Sequence, residues 1–190
     1  TINSLIKSAK DLKKKFKEIK IKFTIIDVNS PSSDINKILS KISDEGFELE
    51  HNSVKNIKDS KDNMSTTMAS IRQSFHHAKN CTDLIYFVED DYIHKTEALA
   101  EMLFAYEKFS SIFQNEIFIL STDYPYLYKK MSNSNILIGE NTHWRTVKES
   151  LLTFMTSKKM IEKHFEKLID MATNESNPFE KNLHEIYEKE

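Results

Sequence analysis

Glu89, Asp90 and Asp91 follow directly on the apolar run Leu84-Ile85-Tyr86-Phe87-Val88, so three carboxylates stand where a buried strand ends. Carboxylates this close repel one another, and ionised groups are costly to bury beside apolar neighbours. A divalent cation at that point removes the conflict. Mg2+ or Mn2+ fits, because each binds through one or two carboxylates plus substrate phosphates and keeps several waters. Asp27 closes a second apolar stretch, residues 21–26, and Asp123 lies just beyond a third, residues 117–120.

The elements that must position these acids follow from apolar spacing. Residues 2–18 carry Ile2, Leu5, Ile6, Ala9, Leu12 and Phe16 at helical intervals. Lysines 13, 14, 15, 17, 20 and 22 read as a solvated face rather than a nucleic-acid or membrane patch, since acids resume directly afterwards. A strand ends at Asp27, a turn of Asn29, Ser30, Pro31, Ser32 and Ser33 follows, and Asp34 begins a helix that Gly46 ends. After a short strand near residues 47–54 and a polar loop over 56–61, Asp62 caps a helix carrying Met64, Met68, Ile71, Phe75 and Ala78. The central strand over 84–88 reads as buried on both faces, and a long helix follows it from a cap at Thr96. A short strand at 117–120, a further one at 136–138, extended segments over 142–147 and 151–155, and two closing helices complete the chain.

Alternating helices and strands imply crossover connections, hence an α/β fold with a single mainly parallel sheet flanked by helices. With that topology the three acidic ends emerge on one edge, where open sheets bind ligands. No linker or repeat divides the 190 residues, so one domain is expected.

Composition narrows the chemistry. Lys+Arg 27 against Asp+Glu 29 leaves a net charge of −2, without a basic field for nucleic acid. The only glycines, Gly46 and Gly139, are too few for a Walker loop or a dinucleotide fingerprint. Phosphate chemistry here must then use a metal or side chains. No apolar run approaches the ~20 residues that span a bilayer, no signal segment opens the chain, and a cytoplasmic location is the expectation. Cys81, the single cysteine, reads as a buried hydrophobe.

Ile25-Ile26-Asp27-Val28-Asn29-Ser30, the helix around Asn63 to Ala78, and Phe87-Val88-Glu89-Asp90-Asp91 together resemble the nucleotide-sugar half of GT-A glycosyltransferases, especially family-2-like ones, over residues 4–125. The resemblance implies a nucleotide-diphospho-sugar donor, Mn2+ or Mg2+, and a saccharide or lipid-linked saccharide acceptor on residues 126–190. It places Asp27 on the base or ribose, Glu89 on the ribose or a metal-bound water, and Asp91, with Glu89, on the metal, with Ser30 and Asp90 as further contacts to the nucleotide sugar. Two departures stand out: Glu89 replaces the commoner aspartate, and the chain opens on the family's first helix, as though truncated or lacking part of the pocket.

Transfer with inversion also needs a base. Asp123 is the first candidate and Glu149 the alternative. Tyr124, Tyr126 and Trp144 are candidate acceptor contacts, Tyr128 is a further ring for stacking on sugar, and Arg145 has the planar fork that grips a diphosphate. His94, His164 and His184 are candidate extra metal ligands, whereas adjacent His76 and His77 cannot face one site. The rival readings are a metal-dependent nucleotidyltransferase and a non-catalytic domain that binds a nucleotide sugar or a partner.

Overall fold

A computed structural model describes residues 1–55, 62–129 and 133–190; the polar loop expected over 56–61 lies outside the described residues. The chain forms two compact units, one of Thr1–Ser74 with Asp90–Ala100, the other of Phe75–Glu89 with Glu101–Glu190. No described helix is long and apolar enough to cross a membrane.

In the first unit α1 (Ile2–Lys15) buries Leu5, Ile6, Ser8, Ala9 and Leu12 along one stripe and ends on Lys13, Lys14 and Lys15. Cations there complement the negative end of the helix dipole. β1 (Lys22–Asp27), α2 (Ser32–Asp44) and β2 (Glu48–Ser53) make a parallel crossover, with Lys22 opposite Glu48 and Asp27 opposite Ser53. Gly46, at φ +73°, takes the left-handed turn that lets the chain leave α2. Phe23 and Phe47 meet edge-on at 5.2 Å. Asp62 accepts from the Ser65 N–H at 2.7 Å, capping α3 (Asn63–Ala78) as its sequence requires.

The segment Asp90–Ala100 is tied to α1 by two hydroxyls. Ser4 Oγ accepts from the His94 N–H and Ser8 Oγ from the Leu99 N–H, both at 3.0 Å. The second bond satisfies an orphan donor in the first turn of α4 (Ala98–Phe113). A fully buried serine on another helix thus takes a donor there, where the sequence pointed to Thr96 as the cap.

The second unit contains β3 (Leu84–Phe87), β4 (Ile119–Leu120), a 3-10 turn (Pro125–Tyr128), β5 (Ile136–Ile138), β6 (His143–Arg145), β7 (Phe154–Ser157), α5 (Lys158–Met171) and α6 (Lys181–Tyr187). β7 lies between β3 and β4 and runs antiparallel to both, and β5 and β6 form a separate antiparallel hairpin. This overturns the single mainly parallel sheet flanked by helices: among the described residues, one parallel pair and two antiparallel sheets stand in its place. Asp27 therefore does not end a strand of the sheet that carries β3 and β4. The physical reason is β7. It is fully buried although it carries Thr156 and Ser157, because Thr156 Oγ1 donates to the Ile117 carbonyl at 2.8 Å and Ser157 caps α5. β3 is half-buried along its length, not sealed on both faces. Phe154, fully buried, packs on Phe87 and Phe118 at 4.9 and 5.4 Å.

Candidate functional site

β3 and β4 both run antiparallel to β7, so they point the same way. Phe154 lies opposite both Phe87 and Leu120, which puts the ends of the two strands at one end of this sheet. Glu89 follows β3 and Asp123 follows β4, so within the second unit two of the expected acids leave from the same end. Glu89 is anchored there by Thr153, whose hydroxyl accepts from the Glu89 N–H at 3.3 Å and donates to its carboxylate at 3.2 Å.

Asp90 and Asp91 belong to the first unit and are exposed; among the described residues neither has an ion-pair partner. Asp27 is buried at the end of β1, where its carboxylate accepts from the Ser30 N–H at 3.3 Å across a turn that carries Asn29 at φ +60°. Ser30 therefore contributes a backbone donor. Among the described residues no three His, Cys, Asp or Glu side chains form a ready-made metal cage. Exposed carboxylates are hard oxygen donors of the kind Mg2+ and Mn2+ use, and such ions take their remaining ligands from phosphate and water.

Asp123 is committed elsewhere. Arg145 donates to it from Nη2 at 2.6 Å and from Nε at 3.0 Å, and the Tyr128 hydroxyl donates to it as well. The Arg145 hydrogen bonds hold its carboxyl below the ordinary carboxylate range against the opposing effect of burial. The guanidinium also covers the Tyr128 ring, with its carbon 4.5 Å from the ring centre. The expected base and the expected diphosphate grip are thus each other's partners.

Sequence reasoning passed over Glu101. This α4 carboxylate is 5% exposed and receives the Trp144 Nε1–H at 3.1 Å, the Thr142 hydroxyl at 3.1 Å, and the Glu140 and Asn141 backbone N–H groups at 3.0 and 2.9 Å. Burial pushes its pKa up, yet the hydrogen bonds from Trp144, Asn141, Thr142 and Glu140 outweigh that and leave it below the usual value. Gly139 fits beneath: a Cβ there would lie 2.1 Å from the Glu101 carboxylate and 2.6 Å from the indole nitrogen. Trp144 is therefore a hairpin anchor. The sequence itself shows only an acid among the apolar residues 98–106 and a glycine five positions ahead of the single tryptophan.

Tyr124 and Tyr126 stack with ring centres 5.6 Å apart, and Tyr126 is 40% exposed. Burial raises the Tyr126 pKa, with Glu149 and Glu180 adding to it, so negative charge lies near that ring. Glu149 itself is exposed. Three histidines are engaged structurally: His164 Nε2 meets Glu190 at 3.0 Å, His184 Nε2 meets the Ser150 carbonyl at 3.1 Å, and His76 packs edge-on against Phe165. Cys81 is half-buried, with its thiol 3.7 Å from the His77 carbonyl. A shallow groove of about 450 Å³ lies between α1 and α2, lined by Asn3, Ile6, Lys7, Lys10, Lys41, Asp44 and Glu45, and contains none of the expected site residues. Compared with family models, curated proteins and solved structures, the chain finds no match.

Proposed function

We propose that the protein transfers a sugar from a nucleotide diphosphate sugar to an acceptor hydroxyl, assisted by Mn2+ or Mg2+, in the cytoplasm and on a saccharide or lipid-linked saccharide. One observation carries the reading: the exposed carboxylates of Asp90 and Asp91 come directly after β3 and Glu89, and no ion pair among the described residues neutralises them. Asp91, with Asp90 beside it, is the residue to hold the cation, and Asp27 with the Ser30 turn is the contact for the nucleoside. When bound, the cation supplies charge neutralisation for the departing nucleoside diphosphate. Thr153 fixes Glu89 through its hydroxyl.

For the acceptor, the stacked Tyr124–Tyr126 pair offers a flat apolar face to a sugar ring. Glu149 is favoured over Asp123 as base, because a carboxylate held by Arg145 at lowered pKa is a poor proton acceptor. That same pairing favours a second reading, a domain that binds a nucleotide sugar without turning it over.

Calorimetry with uridine and guanosine diphosphate, with and without manganese, tests the binding step. Manganese-dependent binding that Asp91→Ala abolishes is expected, and unchanged affinity in that variant overturns the metal assignment. Nucleoside diphosphate released from a panel of nucleotide sugars supports transfer. Binding without release supports the second reading, and pyrophosphate release points to nucleotidyl transfer instead.

A further inference from the structure

Against the plain solvated face expected from the sequence, we propose that the end of α1 and the turn into β1 form a docking surface for an anionic membrane, because acids neighbouring in space pair with only some of the lysines and an exposed aromatic ring stands among them. Lys13, Lys14, Lys15, Lys17, Lys20 and Lys22 fall within ten residues that contain a single acid, Glu18, and all six lysines are exposed. Local acids compensate only part of this charge. Lys15 pairs with Asp11 at 3.2 Å, and Lys22 with Glu50 at 2.7 Å and Glu48 at 3.8 Å. Lys13 lies over the Phe47 ring at 5.5 Å. Lys14, Lys17 and Lys20 have no ion-pair partner among the described residues. Lys7 and Lys10 extend the same face along α1 at helical spacing from Lys14, although Lys10 is paired with Glu45 at 2.6 Å.

A second observation points to the kind of partner. Phe16, the C-cap residue of α1, stands 38% exposed between Lys15 and Lys17. An apolar ring ringed by lysines matches a bilayer interface, where the ring enters the headgroup boundary while the ammonium groups meet anionic lipid. Nucleic acid fits less well. The chain's two arginines, Arg72 and Arg145, both lie outside the patch, so the guanidinium fork that grips phosphate and reads base edges is missing from it. The chain as a whole carries −2, so the patch is a local positive pole that orients the protein on a negative surface. The inference does not depend on what the acids at β3 bind.

Sedimentation of the full chain with phosphatidylcholine vesicles, with and without phosphatidylglycerol, tests it. Binding is expected only to the anionic vesicles and is expected to fall with added salt. Each lysine near such a surface is worth about fivefold in partitioning, so K14E/K17E/K20E, which removes three and adds three repelling acids, is expected to lose at least about a hundredfold. The control K148E/K181E/K189E makes the same change of charge at exposed positions elsewhere and is expected to lose far less. F16S is expected to weaken vesicle binding about tenfold with every lysine intact. Absence of binding to anionic vesicles, equal losses in the two triple variants, or tighter binding to an oligonucleotide than to vesicles would each overturn the proposal.

Discussion

Arg145 grips Asp123 through two nitrogens, Nη2 at 2.6 Å from Oδ1 and Nε at 3.0 Å from the same oxygen, and so ties β6 to the segment that follows β4. A fork-to-carboxylate pair has directional strength that a lysine cannot reproduce. The carboxylate side chain is 44% exposed, so screening limits what the pair contributes. Arg145→Lys is expected to cost about 0.5 to 1 kcal/mol at neutral pH, measured by urea unfolding. Because the folded pKa of Asp123 is depressed, this stability is present above the unfolded value near 3.8 and is lost as pH falls through the folded pKa. Wild type and variant should therefore converge in acid; a gap that persists there would show the pair contributes by packing alone.

Glu101 is the more costly residue to change. Glu101→Ala leaves an indole N–H, a hydroxyl, the Asn141 side-chain amide and two backbone N–H groups without their acceptor. Losing a shared acceptor at a buried site is expected to cost about 2 to 4 kcal/mol. Glu101→Gln keeps the shape but turns one acceptor into a donor facing donors, and is expected to recover little. An unfolding midpoint for Glu101→Gln equal to that of wild type would contradict this account.

Gly139→Ala tests the same cluster from below. Its methyl group would meet the Glu101 carboxylate at 2.1 Å and the Trp144 ring at 2.6 and 2.9 Å, distances that force the hairpin to move. Destabilisation of about 1 to 3 kcal/mol is expected. Trp144 is the sole tryptophan, so a red shift of its emission reports directly whether the indole has left its place. Unchanged emission with reduced stability would locate the strain elsewhere.

Ser8→Ala removes the hydroxyl that accepts from the Leu99 N–H at a fully buried position. The expected loss is about 1 to 2 kcal/mol, read from chemical denaturation. Hydrogen exchange at Leu99 should accelerate as well. A variant as stable as wild type, with Leu99 still protected, would mean another acceptor has replaced the serine.

Element identity was legible because apolar spacing is a local signal. Leu5, Ile6, Ala9 and Leu12 mark α1 at helical period, and Asp62 announces α3 as a cap. Topology was not legible, since it depends on β7, whose Thr156 and Ser157 look like loop residues until the Ile117 carbonyl and the start of α5 satisfy them. The acids Asp27, Glu89, Asp90 and Asp91 could be picked out as carboxylates ending apolar runs. Their partners could not. That Asp123 belongs to Arg145, and Trp144 to Glu101, depends on contacts 22 and 43 residues apart in the chain, which no local pattern encodes.

The placement of β7 also sets an order of events during synthesis. Leu84–Phe87 and Ile119–Leu120 have no common neighbour until Phe154–Ser157 has been made, so a nascent chain shorter than that presents two bare ladder edges to its surroundings. Closing this sheet means joining segments some 70 residues apart, a slow kind of search. Fragments that stop ahead of Phe154 will be sticky intermediates rather than small stable domains.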